Sequence, residues 1–295
     1  MGSIPDSEAD WRDRVRAGQV AFGRAMVASA DGAELYDRDG VVGQVFPEAR
    51  ERSVFNSVFY EDAEGLSEAL DELDRTYREA GVLAWTVWVP EGDTGAAEAL
   101  EAAGHRLDAT PRDMAMDLAD LAEPAPDPGL AAREEYDLAT MARINEVAYG
   151  YPPGGFAAVE AARMSDFRTY FADLDGEPVS TLAIWAHGED AVVAWVATLP
   201  EARGRGLSTR LLGRALADAR EQGLRTTTLQ STKLGYPVYA KLGYRDLGSM
   251  QMWERRDRKA AALRNEGRIA RSDSWGAAAD GPAWWRSRDI LRSHG

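Results

Sequence analysis

The chain has 295 residues, 45% hydrophobic and 28% charged, an ordinary globular composition with enough sequence for two domains at roughly 100–200 residues each. Its 34 basic and 49 acidic residues give a formal net charge of −15, a field that repels phosphate and argues against a duplex nucleic-acid binder. Cysteine is absent, which excludes a disulfide framework, a thiolate zinc site and a cysteine nucleophile; His105, His187 and His294 are too scattered to suggest a metal site.

No apolar run approaches the roughly 20 residues of a membrane span. The opening MGSIPDSEADWRDR lacks the basic and then apolar regions of a signal peptide, so cytoplasm is the expected compartment, with neither membrane nor nucleic acid as partner. The charge is uneven: residues 255–295 carry ten Lys/Arg against five Asp/Glu, leaving −20 for residues 1–254.

In chain order, residues 1–20 read as an N-terminal arm and 21–120 as a first α/β unit. Within that unit, residues 54–60 read as a strand and 66–80 as an amphipathic helix ended by Gly81. A buried strand at 83–89, a helix at 96–103 ended by Gly104 and a strand at 114–118 follow. Three prolines and a glycine in LAEPAPDPGL mark a linker over residues 121–132.

The second unit, 133–256, starts with a helix at 137–147 whose N-cap is Asp137. Strands at 167–174 and 179–187 flank the turn signal Asp175-Gly176, and 191–199 reads as a strand buried on both faces. A helix at 207–222 ended by Gly223, a strand at 226–229, a short helix at 237–242 and a last strand at 244–253 complete it. Residues 257–295 form a C-terminal arm, partly helical over 259–270. The phrases EALEAAGHRLD and PVYAKLGYRDL, each around a helix-ending glycine, suggest an internal duplication. The fold class is therefore mixed α/β (α+β), with two similar units in tandem.

The segment VATLPEARGRGLSTRLL carries the chemistry. A buried strand ends at Pro200, a loop with Gly204 and Gly206 follows, and a helix starts at once. That arrangement exposes backbone N–H groups around Gly204, Arg205, Gly206, Leu207, Ser208 and Thr209 at a helix N-terminus, where orphan donors and the dipole favour an anion such as pyrophosphate. The Arg203 and Arg205 side chains could add charge. No lysine follows either glycine as a P-loop requires, and the third glycine and downstream acidic residue of a dinucleotide fingerprint are missing.

The segment resembles the GNAT-type N-acetyltransferase signature Arg/Gln-x-x-Gly-x-Gly/Ala in Arg203-Gly204-Arg205-Gly206-Leu207-Ser208, with Ser208 departing from the final Gly/Ala. The resemblance implies that the loop amides bind the pyrophosphate of acetyl-CoA, while the strand Val196, Ala197, Thr198 pairs with its pantetheine arm. STKLGYPVYAKLGY resembles a later family motif and implies Tyr239 as the general acid for the departing thiolate, with Ser231 facing the same cleft. The strand at 191–199 lacks the family's frequent Glu. Glu146 or Asp190, with Glu189 and His187 behind them, are the candidate bases, and a water relay is equally compatible.

In the first half the matching loop is Glu61-Asp62-Ala63-Glu64-Gly65, whose carboxylates would repel a pyrophosphate; that half reads as a degenerate GNAT-like domain that shapes the acceptor cleft. The expected function is acetyl transfer from acetyl-CoA, as co-substrate, to the primary amine of a small molecule or peptide in a ternary complex, with no metal. The alternatives are a CoA-binding regulatory protein without turnover and an acyltransferase using another acyl-CoA. Acceptor identity and oligomeric state, a homodimer included, stay open.

Overall fold

In the computed structural model, which describes residues 4–122, 131–151, 154–156 and 163–257, the chain begins with helix α1 (Glu8–Ser29). The Ser7 side chain accepts from Asp10 N–H while the Asp10 carboxylate takes the Ser7 N–H, a capping box that fixes the helix start. This helix replaces the expected arm over residues 1–20 and runs beyond it. Its buried stripe includes Gly18 and Gly23 beside Trp11, Val15 and Met26, so small residues hide the helical period.

The hairpin β1 (Glu34–Arg38) and β2 (Val41–Val45) turns at Asp39-Gly40, both at positive φ, as a type I′ turn requires. Then come β3 (Ser57–Tyr60), α2 (Ala63–Glu79), β4 (Ala84–Pro90), α3 (Thr94–Ala102), β5 (Arg106–Ala109) and β6 (Arg112–Asp117). The second half runs β7 (Ala131–Glu134), α4 (Leu138–Tyr149), β8 (Phe167–Leu174), β9 (Glu177–His187), β10 (Asp190–Thr198), α5 (Leu207–Glu221), β11 (Thr226–Ser231), α6 (Tyr236–Leu242) and β12 (Arg245–Arg256). The expected turn at Asp175-Gly176 and cap at Asp137 are present. The expected C-terminal arm beyond residue 257 and most of the linker lie outside the described residues.

With β5 and β7 set aside, the two halves repeat one order of elements, helix, hairpin, strand, helix, strand, helix, strand, and in each the middle strands pair in parallel: β3 with β4, and β10 with β11. They are not separate in space. The sheet order is β1-β2-β3-β4-β12-β6-β11-β10-β9-β8-β7, with β5 also on β12. Each half gives its last strand to the other: β12 pairs with β4 from Met250 to Arg256, and β6 pairs with β11 from Arg112 to Asp117. The boundary expected at 121–132 thus divides the sequence without dividing the sheet, because a terminal antiparallel strand finds the same edge chemistry on either unit.

Side chains lock this exchange. Glu254 on β12 is buried, accepts from Ser53 Oγ at 2.7 Å and is gripped by Arg256, which also donates to Glu51 O. A core shared by both halves places Met26, Phe55, Met114 and Met116 against Phe171, Leu182, Leu211 and Leu216. No helix among the described residues is long and apolar enough to cross a membrane.

Candidate active site

The site begins with a flaw in the sheet. β9 and β10 pair regularly to Ala194↔Ala183 and resume at Ala197↔Thr181, so β10 holds one extra residue. Trp195 sits within this bulge at φ 51, a left-handed conformation that an L-residue adopts at a cost of roughly 1–2 kcal/mol. Two side chains of α4 satisfy the carbonyls it frees: Asn145 Nδ2 donates to Trp195 O at 3.2 Å and the Tyr149 hydroxyl to Val196 O at 2.9 Å. β10 pairs with β11 only from Asp190 to Val192, and beyond that point the two parallel strands part.

Strand polarity decides what faces the gap. Leu199 N–H donates to Val179 O on β9, so alternation turns Ala197 the same way and Val196 and Thr198 away from β9. The next residues make a 3-10 turn, Pro200–Ala202, and then Gly204 at φ 76 and Gly206 at φ 70 lead into α5. A Cβ at either glycine would meet no atom within 4 Å, so the left-handed backbone, not crowding, demands glycine there. Gly206 is the N-cap and no side chain caps this end, so the N-terminus of α5 is free to take an anion.

Arg203 and Ser208 serve the loop itself. Arg203 Nε donates to Thr198 O at 3.1 Å and Nη2 to Ala148 O at 2.8 Å, tying the loop to β10 and α4. Ser208 Oγ lies 2.7 Å from Thr198 Oγ1, which lies 2.8 Å from Ser180 Oγ. The hydroxyl that distinguishes position 208 from the smaller residue of the signature is thereby absorbed into a three-member chain.

A cavity of about 630 Å³ joins these parts. It is lined by Val196, Ala197 and Thr198 of β10, by Arg203, Gly204 and Gly206, by Leu207, Ser208 and Thr209 of α5, and by Tyr239 of α6. Arg205 is exposed and does not line it; Ser231 is fully buried and donates to Thr232 O. The Tyr239 hydroxyl makes no hydrogen bond among the described residues, and burial raises its pKa well above the ordinary tyrosine value, so the phenol keeps its proton.

The geometry does not bring the expected bases to this cavity. Glu146 is buried and accepts the Phe156 N–H at 3.0 Å. Asp190 is enclosed under α1, where Thr226 and Thr228 donate to it at 2.6 Å, and burial raises its pKa. Glu189 pairs with Arg225, and His187 stacks on Trp185. No carboxylate or imidazole among the described residues lines the cavity. The sequence offered them as the ionisable groups on the first helix and just before β10, and each is engaged by partners away from the cavity.

What the sequence did not reveal is which residues of the first half form the opposite wall. Gln19, Phe22 and Met26 of α1, Gln44 of β2, Ser57 and Phe59 of β3 and Trp88 of β4, all from the first half, complete the cavity. No local motif marks them, since the exchanged sheet assembles them from four elements. Gln230 of β11 also lines it, its Nε2 directed to Asp113 of β6 at 3.3 Å. Burial raises the Asp113 carboxyl to about 7, against weaker opposing effects of Gln230 and nearby arginines. In the first half the Asp62 carboxylate accepts Gly65 N–H at 2.8 Å, so the chain's own anion caps α2 where a second cradle would lie.

The acetyltransferase (GNAT) domain family model matches residues 165–246, from the start of β8 into β12 and across the bulge, the glycine loop and Tyr239. Over this stretch the chain is similar to GNAT acetyltransferase domains. The likeness in fold extends beyond that stretch. A GCN5-related N-acetyltransferase from Kribbella flavida superposes with a TM-score of 0.61 at 19% identity, covering 81% of this chain and 94% of that one. One from Sphaerobacter thermophilus gives 0.54 at 17% identity, with coverage of 86% and 97%. A tandem GNAT protein from the clavulanic acid biosynthesis pathway gives 0.52 at 14% identity, with coverage of 83% and 95%. No curated protein matches the chain.

Proposed function

We propose that the protein is an N-acetyltransferase that moves an acetyl group from acetyl-CoA to a primary amine by direct attack in a ternary complex. The observation that carries this reading is the continuity of one cavity from the uncapped N-terminus of α5, past the splayed strand β10, to the free hydroxyl of Tyr239. The residues present suit the co-substrate. The amides at Gly206 to Thr209 hold a pyrophosphate, the N–H groups of Val196 and Thr198 meet the pantetheine arm as a neighbouring strand would, and Tyr239 stands where the thioester ends.

Attack of the amine on the thioester carbonyl forms a C–N bond and breaks the C–S bond. Tyr239 gives its proton to the departing sulfur, and its raised pKa keeps that proton available at neutral pH. Water in the cavity takes the proton from nitrogen, because no side-chain base stands there among the described residues.

Calorimetric titration with acetyl-CoA and a thiol-release assay over an amine panel test this. Binding with thiol release that falls by about 10²-fold or more in Tyr239→Phe supports it. Binding without release for any amine makes the protein a CoA-binding regulator, and preference for a longer acyl chain in competition replaces acetyl with another donor.

A further inference from the structure

The wall supplied by the first half has a chemistry of its own. Phe59 and Trp88 lie nearly parallel, 6.3 Å between centroids at 18°, and Trp88 Nε1 is fixed by donation to Ser57 Oγ at 2.9 Å. Phe22 of α1 stands edge-on to Trp195 at 5.4 Å, so the bulge residue faces the first half's aromatic surface. Among the described lining residues the only formal charge is Arg203, and no acidic side chain is present. An ammonium ion brought into such a cavity would lose its hydration with no anion to replace it.

The polar groups here are amides. Gln44 is only 6% exposed, lines the cavity, and its side chain makes no hydrogen bond among the described residues. Its position is built in: a Cβ at Gly23 of α1 would fall 1.7 Å from Gln44 Nε2, so the helix omits a side chain to admit this amide. Gln44 borders the open space of the cavity with its hydrogen-bonding capacity unused by the described residues, so a ligand there can complete it in place of solvent. Gln230, with its nitrogen directed to Asp113, leaves its carbonyl oxygen to accept an N–H.

Resting on the acetyltransferase reading above, we propose that this wall is the acceptor site and that it takes an arylamine, a flat aromatic body bearing a weakly basic amino group that is uncharged at neutral pH. Such a nitrogen already carries a free lone pair, so the missing side-chain base is not needed before attack. The balance is complete: nitrogen bonds to the acetyl carbon, sulfur leaves with the Tyr239 proton, and the proton shed by nitrogen returns through water to the phenolate. Amide and thiol are the only products.

The test compares 4-methoxyaniline, 4-methoxybenzylamine and putrescine at saturating acetyl-CoA, with binding of each to the CoA complex followed by calorimetry. The expected order places the aniline above the other two by about tenfold or more in kcat/KM. Gln44→Leu should weaken aniline binding several-fold while leaving CoA affinity and the melting temperature of the free protein unchanged or higher. Gln19→Ala, at a half-buried position, should weaken it without threatening the fold. Preference for the benzylamine or putrescine, with CoA binding intact, overturns the arylamine assignment and leaves the acetyltransferase standing. Failure to bind acetyl-CoA removes both. Unchanged aniline binding in both glutamine variants moves the acceptor to another surface and also overturns the proposal.

Discussion

Tyr239 lies against the backbone of Gly235, one turn earlier, so closely that a Cβ at Gly235 would stand 2.9 Å from ring atom Cε2. The glycine sits at φ −77 and ψ −28, where alanine is comfortable, so the contact alone excludes a side chain. Gly235→Ala should therefore push the phenol off its position while α6 survives. The expected result is a fall in kcat of about tenfold or more with acetyl-CoA affinity unchanged, read from steady-state kinetics beside calorimetry.

The loop before α5 gives a different signature. Alanine at Gly206 must adopt φ 70, which costs roughly 1–2 kcal/mol, or rotate the first turn and its N–H groups away from the cavity. Gly206→Ala should weaken acetyl-CoA binding by about tenfold, and saturating acetyl-CoA should recover most of kcat. An equal loss of kcat at saturation would place the loop's effect in the chemical step instead.

His105 is buried edge-on against Trp85 at 4.5 Å, and neither ring nitrogen is hydrogen-bonded among the described residues. Burial, and next the Arg255 charge, depress its pKa from 6.5 to about 3. The unfolded chain therefore binds a proton that the folded chain refuses; the resulting penalty on stability is absent above about 6.5 and grows as pH falls from there toward 3. His105→Phe should flatten the acid side of the melting-temperature profile over that window.

Asp113 acts in the opposite sense. Its carboxyl is raised from 3.8 to about 7, so its burden on stability is absent near pH 4 and grows as pH climbs to about 7. Asp113→Asn should melt higher than the parent protein at pH 8 and equal to it at pH 4. A gain of the same size at both pH values would mean that ionisation is not the cause.

The strand exchange predicts a failure to fold in parts. Residues 4–122 alone would lack β12 beside β4, and residues 131–257 alone would lack β6 beside β11. Neither fragment should show a cooperative thermal transition by circular dichroism, and mixing the two during refolding should restore one. Met116→Ala, at a fully enclosed position on β6, should cost about 2–5 kcal/mol in the intact protein.

The second half was legible because its signals are local. The pair Asp175-Gly176, the Asp137 cap and the spacing of Gly204 and Gly206 each encode a conformation within a few residues. Helix α1 escaped because Gly18 and Gly23 occupy its packed face, and Gly18 lets the helix approach Val192 within what would be 3.2 Å of a Cβ. The bulge at Trp195 escaped because nothing in AVVAWVAT marks a residue for positive φ; Asn145 and Tyr149, some 50 residues away, stabilise it. For the far wall of the cavity the sequence pointed to the first half but not to its residues, since Gln19, Gln44 and Trp88 converge only when β12 and β6 change places.

That exchange also bears on inheritance. A half without a working cradle would ordinarily be free to vanish, yet here its deletion would strip the surviving half of a strand and leave an unpaired edge open to other chains. The two halves are obliged to travel together. The first, relieved of holding a nucleotide, is left as a plate on which Phe22, Gln44 and Trp88 can be rewritten for a new acceptor while the loop at Gly204 and Gly206 stays as it is.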